Sequence, residues 1–226
     1  MLDTLHTIDQ SLLLFFNGWH TPYWDMVMWI YTGKIIWIPL ILSILYTLLR
    51  AGGWRETLWA VAVVAVVVVL CDQFSSSVCK PFFERLRPAR EPEIAQMVTI
   101  VNGYRGGLYG FFSSHAANAA GIVTFTALLF RNKIYTATAI LWAAITCYSR
   151  MYLGVHYPGD ILVGIIWGTL VGAAGYWCYT RGRKWVSSGI DCPYRNTRYV
   201  HIITSVVYLT FATILTFAPI IGFSIR

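Results

Sequence analysis

Leu58-Trp-Ala-Val-Ala-Val-Val-Ala-Val-Val-Val-Val-Leu70 is the stretch whose reading decides the fold. Its β-branched residues would suit a strand in water. The apolar block around it runs from Leu58 to Val78, which matches the ~20 residues needed to cross a bilayer. A segment in lipid must satisfy its own backbone hydrogen bonds, so the block reads as a helix. The in-out alternation of a membrane β-barrel strand is absent.

Five similar blocks lie outside it, at about 24–49, 114–130, 134–152, 161–179 and 200–223. The chain of 226 residues is 57% hydrophobic and 12% charged, against roughly 25% charged in a soluble domain. The expectation is an all-α integral membrane six-helix bundle. With no internal repeat, low-complexity tract or linker, 1–226 reads as a single domain. Asp3 and Asp9 stand where a cleavable signal peptide carries bases. Leu5, Ile8, Leu12 and Phe16 recur at helical spacing. Residues 1–20 are therefore expected to form a helix that lies on the membrane surface or packs on the bundle; both stay open.

Lysine and arginine are unevenly shared between the two faces. The connections after the first, third and fifth spans hold Arg50, Arg55, Arg131, Lys133, Arg181, Arg183, Lys184, Arg195 and Arg198, opposed by Glu56 and Asp191. By the positive-inside bias this face is cytoplasmic, and the long loops after spans two and four face a periplasm or other extracytoplasmic space. The net charge of +7 then reflects topology and implies no nucleic-acid partner. Cys71, Cys79, Cys147, Cys178 and Cys192 show no metal-binding or CxxC spacing and imply no disulfide.

The long loops carry polar residues that a membrane anchor does not need. Lys80-Pro-Phe-Phe-Glu-Arg-Leu-Arg-Pro88 places Lys80 and Arg87 two helical turns apart, so on a helix both would point one way. A solvated basic loop is the plainer alternative. Ser113 and Ser114 are good N-cap residues at the start of the third span, whose free N–H groups make an anion site, and His115 follows in the first turn. Ser149-Arg150 through His156 to Asp160 forms a turn shaped by Gly154, Pro158 and Gly159. There a carboxylate can hold one imidazole nitrogen and leave the other free as a nucleophile. All three segments reach one face of the bundle. Three cations and backbone donors match a tetrahedral dianion, and two histidines offer a nucleophile and a proton donor. Asp72 and Lys34 fall inside apolar blocks, where charges are functional candidates; Asp72 is expected at the pocket floor or beside a cation, and Lys34 at an interface. Glu84, Arg85, Arg90, Glu91 and Glu93 are expected to be mostly solvated around the entrance.

These segments resemble the signature of the type 2 phosphatidic acid phosphatase superfamily, K-x6-R-P, P-S-G-H and S-R-x5-H-x3-D. Lys80 to Arg87-Pro88 and Ser149-Arg150 through His156 to Asp160 match the first and third motifs, while Phe112-Ser113-Ser114-His115 departs from the second. The resemblance implies that His156 attacks phosphorus and becomes a phosphohistidine, with Asp160 orienting it. It implies that His115 protonates the leaving oxygen and then helps to activate water. Lys80, Arg87 and Arg150 would neutralise the phosphoryl oxygens, with Ser113 and the backbone at Ser114 completing the cradle. No metal and no cofactor are expected. The implied activity is hydrolysis of a lipid phosphate or diphosphate on the outer side of the membrane, with undecaprenyl diphosphate first among substrates. Phosphatidylglycerophosphate, phosphatidic acid and lipid A are the alternatives. A non-catalytic lipid-phosphate binder or flippase, or a vanadate-dependent haloperoxidase, is the rival from another class. The expected partners are the lipid substrate and membrane lipids, with no obligate protein partner.

Overall fold

In the computed structural model the described residues are 2–186, 192–195 and 197–224. They form eight α-helices: α1 (Leu2–Asn17), α2 (Pro22–Thr32), α3 (Ile38–Gln73), α4 (Lys80–Phe83), α5 (Ser114–Phe130), α6 (Lys133–Tyr152), α7 (Pro158–Val186) and α8 (Val200–Ser224). Among the described residues there is no strand, and the nearest approach to one is an isolated antiparallel bridge between Leu86 and Tyr109.

The valine-rich stretch from Leu58 to Leu70 is helical. Ala60, Val63, Val67 and Cys71 are buried while Val61, Val66, Val69 and Leu70 are exposed, a spacing of three to four residues that only a helix produces. The exposed apolar face continues on Leu42, Leu58, Leu162, Leu170 and Leu209. In water such a face would be an aggregation hazard; in lipid it is solvated. Three helical stretches are long and apolar enough to cross a membrane: Ile35–Phe83, Pro158–Val186 and Val200–Ile220; Ser114–Phe130 is shorter and equally apolar. The first is 49 residues long and is broken at Gly53 (φ 70, ψ 176), so it makes two legs. That backbone conformation is essentially restricted to glycine. The protein is an integral, multi-pass membrane protein.

Two expected boundaries move. The block at 24–49 is two pieces, because α2 stops at Thr32, where Gly33 caps it in an extended conformation, and α3 begins at Ile38. Lys34 sits in that break, exposed. The expected span at 161–179 extends to Val186, so α7 carries Arg183 inside its last turn. Helix α1 packs on the bundle, one of the two alternatives raised for it, and keeps an apolar side exposed. Leu13 and Asn17 are buried against the bundle, while Leu5, Ile8, Leu12 and Phe15 form an exposed apolar stripe.

The contact that matters most for the site is α5 against α7. A Cβ at Gly164 would stand 2.6 Å from the Ser113 carbonyl oxygen, and at Gly168 and Gly172 it would collide with the backbone of Ala117 and Gly121. Small residues at i, i+4 and i+8 let two membrane helices touch backbone to backbone. The start of α7 is thereby pressed against the start of α5.

Candidate active site

Three chain segments meet at these two helix starts. Glu84 leaves α4 in the left-handed conformation (φ 46), and the chain runs on extended. The Arg87 N–H donates to the Leu108 carbonyl at 3.1 Å and the Gly110 N–H to the Arg85 carbonyl at 2.8 Å. On this extended segment residues two apart share a side, so Arg85 and Arg87 both face the start of α7. The expectation that Lys80 and Arg87 lie on one helix is therefore corrected. Lys80 opens α4, which ends at Phe83, and Arg87 reaches the site from the extended segment.

Arg87 is 9% exposed and held from three sides. Its Nε donates to the Tyr109 carbonyl at 3.1 Å, and its Nη1 donates to the Val155 carbonyl at 3.1 Å and faces His156 Nε2 at 3.3 Å. A guanidinium has no acceptor, so the nitrogen it faces is the one bearing the lone pair. The proton of the neutral ring then sits on Nδ1, which lies 3.4 Å from Asp160 Oδ2. That separation exceeds a well-formed hydrogen bond, and the Gly110 backbone also acts on the ring, favouring its charged form. Oδ2 of Asp160 accepts the Tyr157 N–H at 3.0 Å, and Oδ1 accepts from Arg85 Nη1 at 2.7 Å. His156 and Asp160 are both buried. Burial, reinforced by the positive charges of Arg87, Arg150 and Lys80, pushes the His156 pKa well below its ordinary value. Arg87 is likewise lowered, first by burial.

Arg150, in the last turn of α6, is 2% exposed, and its Nε has no hydrogen-bond partner. The Tyr104 ring centroid is 5.9 Å from its guanidinium carbon. His115 stands in the first turn of α5, with Arg150, His156, Arg87 and Lys80 as its charged neighbours. The eight expected residues, Lys80, Arg87, Ser113, Ser114, His115, Arg150, His156 and Asp160, thus come from separate segments to one place.

The departing second motif has a structural account. Phe112 is buried with Val67, Cys71, Cys79 and Ala117, and its carbonyl accepts from Ser75 Oγ at 2.7 Å. It anchors the turn in the core. Ser113 is the N-cap of α5, accepting the Ala116 N–H at 3.4 Å, and its own N–H donates to the Asp160 carbonyl at 3.1 Å. The Ser113 N–H is therefore occupied, which leaves its hydroxyl and the N–H groups of the first turn to face an anion. Ser114 and His115 line a cavity of about 530 Å³ together with Asp72, Asn118, Arg150, Trp37 and Trp142. The cavity follows α5 from Ser114 to Val123, or roughly 13 Å at the helical rise. Lys34 lines it as well.

Sequence reasoning missed Arg85 and Asp9. Expected to be solvated, Arg85 is instead clasped between Asp160 and Asp9, whose Oδ2 is 2.6 Å from Nη2. Burial works against the Arg85 charge, yet the two carboxylates more than offset it and raise its pKa. Asp9 is more than seventy positions from its partner, and no local pattern could have linked them. Among the described residues no group of three His, Cys, Asp or Glu side chains is arranged to hold a metal, and all five cysteines are free thiols.

With this geometry in place, the relatives of the chain can be read. A family model described as the PAP2 superfamily matches residues 57–184. The chain is 45% identical over 180 residues to a lipid A 4′-phosphatase of Bacteroides thetaiotaomicron, covering 79% of this chain and 78% of that one. It is 39% identical over 187 residues to a lipid A 4′-phosphatase of Porphyromonas gingivalis, covering 82% and 78%. A transmembrane PAP2-type phosphatidylglycerolphosphate phosphatase from Bacillus subtilis shares the fold, with a TM-score of 0.58 at 20% identity over 82% of this chain and 89% of that one. Aquifex aeolicus LpxE shares it with a TM-score of 0.53 at 24% identity over 73% and 92%. The chain belongs to the PAP2 superfamily.

Proposed function

We propose that the protein removes the 4′-phosphate of lipid A, without a metal ion, through a phosphohistidine formed on His156 at the outer face of the membrane. As a member of its family the protein is a membrane phosphatase acting on lipid phosphates. Two relatives named for lipid A, at 45% and 39% identity, favour that substrate over undecaprenyl diphosphate. The observation that carries the mechanism is the 3.3 Å approach of donor-only Arg87 to His156 Nε2, which marks Nε2 as the lone-pair nitrogen.

In the first step the Nε2 lone pair attacks phosphorus. The bond from phosphorus to the sugar oxygen breaks, and that oxygen takes a proton from His115. Asp160 stabilises the positive charge that forms on the His156 ring through the Nδ1 proton, a contact that tightens as the ring becomes cationic. In the second step water attacks phosphorus and gives a proton to His115. The N–P bond breaks, its electron pair returns to Nε2, and inorganic phosphate leaves. Lys80, Arg87, Arg150 and the first-turn N–H groups of α5 hold the phosphoryl oxygens throughout. Pre-positioned positive charge of this kind carries most of phosphoryl transfer. The apolar cavity beside His115 suits part of the lipid.

The test is phosphate release by detergent-purified protein from lipid A, undecaprenyl diphosphate, phosphatidylglycerophosphate and phosphatidic acid, each with excess EDTA. Fastest release from lipid A, undiminished by EDTA, is expected. Release lost to EDTA would refute the metal-independent route, and faster release from another lipid would refute the substrate.

A further inference from the structure

Asp160 has two neighbours of opposite character. Oδ2 looks toward His156, whereas Oδ1 accepts from Arg85 Nη1 at 2.7 Å. The same guanidinium donates through Nη2 to Asp9 Oδ2 at 2.6 Å, and Asp9 Oδ1 accepts the Gly159 N–H at 2.7 Å. The Tyr157 ring, 4.1 Å from the Arg85 guanidinium carbon, holds the plane of the fork. One cation is thus shared by two carboxylates, a geometry the rigid guanidinium favours. Asp9 belongs to α1, whose outward face is the exposed apolar stripe of Leu5, Ile8, Leu12 and Phe15.

We propose that Asp9 is a positioning residue for the phosphatase reaction, acting through Arg85 on the Asp160 carboxylate that supports His156. Arg85 alone would keep buried Asp160 ionised, but it would also cancel much of the negative charge that His156 needs while phosphorus is transferred. Asp9 draws part of the Arg85 charge to itself, so the three groups together retain one net negative charge beside the His156 ring. The bond from Gly159 sets α1 in register on the turn that carries the nucleophile. The seating of an amphipathic helix at the membrane surface is thereby tied to the chemical step. This inference rests on His156 being the nucleophile.

The experiment is a double-mutant cycle on the full-length detergent-solubilised protein. Asp9→Asn, Arg85→Gln, the double variant and His156→Ala are compared with the parent for kcat and KM on whichever lipid phosphate the parent hydrolyses. Asp9→Asn keeps an oxygen for Gly159 and removes the charge. It should lower kcat about tenfold, at the low end of what removing a supporting partner costs, with KM unchanged. In the Arg85→Gln background the same change should have no further effect. An equal loss in both backgrounds would overturn the proposal and leave Asp9 a helix latch, as would a change in KM alone or no change at all. If Asp9→Asn does not fold, Asp9→Ser, which also accepts from Gly159, takes its place. Turnover retained by His156→Ala would refute the nucleophile, and the relay with it. Turnover lost there with Asp9 uncoupled from Arg85 would refute the relay alone.

Discussion

The same two helical stretches carry charge at both of their ends, and the two ends are built differently. Asp160 opens α7 and Arg183 lies in its last turn, while Glu56 begins the second leg of α3 and Lys80 follows its end. At the Glu56 end the carboxylate takes the Tyr179 hydroxyl at 2.8 Å and the Arg183 Nε, and Trp59 Nε1 donates to the Tyr179 carbonyl at 3.1 Å. There an acid meets a base, and the Tyr179 hydroxyl also donates to the carboxylate. At the Asp160 end Lys80 and Arg87 act on a carboxylate already engaged by Arg85, and Arg150 stands with them around His115 and His156. There the Arg150 Nε is buried without a hydrogen-bond partner. Buried polar groups are rarely left so. Donors close on the carboxylate at the Glu56 end, whereas the proposed phosphate site gathers cations with donor capacity to spare.

Several substitutions would break or sharpen that contrast. His156→Ala should reduce turnover by about 10⁴-fold or more while the protein still folds, in line with removal of a nucleophile elsewhere; steady-state phosphate release and a thermal melt read both. Arg150→Ala should lower kcat by about 10²–10³-fold, the scale for losing one transition-state donor, and its cavity and overall fold should persist. At the other end the signature should invert. Glu56→Ala removes the carboxylate of a buried ion pair and the acceptor of the Tyr179 hydroxyl, and should lower the detergent melting temperature with kcat per folded molecule unchanged. A large kcat loss there would erase the distinction between the two ends.

The smallest effect expected is in pH dependence. His156 is held below its ordinary pKa by burial and then by Arg87, Arg150 and Lys80. The unfolded chain therefore binds the proton more readily, at about pH 6.5. This group's contribution to folding is complete above that value and is lost as pH falls from it toward the folded pKa. The same lowering keeps Nε2 unprotonated, so kcat/KM should stay level from pH 7 to 6 where an unperturbed histidine would already be losing activity. A fall centred on the ordinary imidazole value would contradict the surplus of positive charge.

The residues proposed for the chemistry stand out in the sequence, because Lys80, Arg87, His115, Arg150, His156 and Asp160 are polar groups set in an apolar chain. Their gathering was legible too, since loops separated by two spans share a face. What escaped was set by backbone geometry and by distance along the chain. The Thr32–Gly33–Lys34 break is short, and apolar residues resume at Ile35, so the block read as continuous. The two-turn spacing of Lys80 and Arg87 pointed to a helix, but Glu84 ends α4 in the left-handed conformation and an extended segment delivers Arg87. Arg85 lay among solvated-looking charges, and its partner Asp9 sits on a helix that the sequence could assign to the membrane surface or to the bundle. The fold uses both faces of that helix. Ser113 was rightly expected to cap α5, but its N–H is taken by the Asp160 carbonyl, a contact that depends on the glycine seam between α5 and α7.

The central claim is that His156 carries the phosphoryl group between two steps. Rapid quenching of a single turnover into alkali, which preserves phosphohistidine, followed by peptide mass spectrometry, tests it most directly. A transient phosphoryl group on the peptide bearing His156, absent from His156→Ala, is the predicted result. Phosphate release at full rate with no phosphoryl group on His156, or with one on another residue, would contradict it.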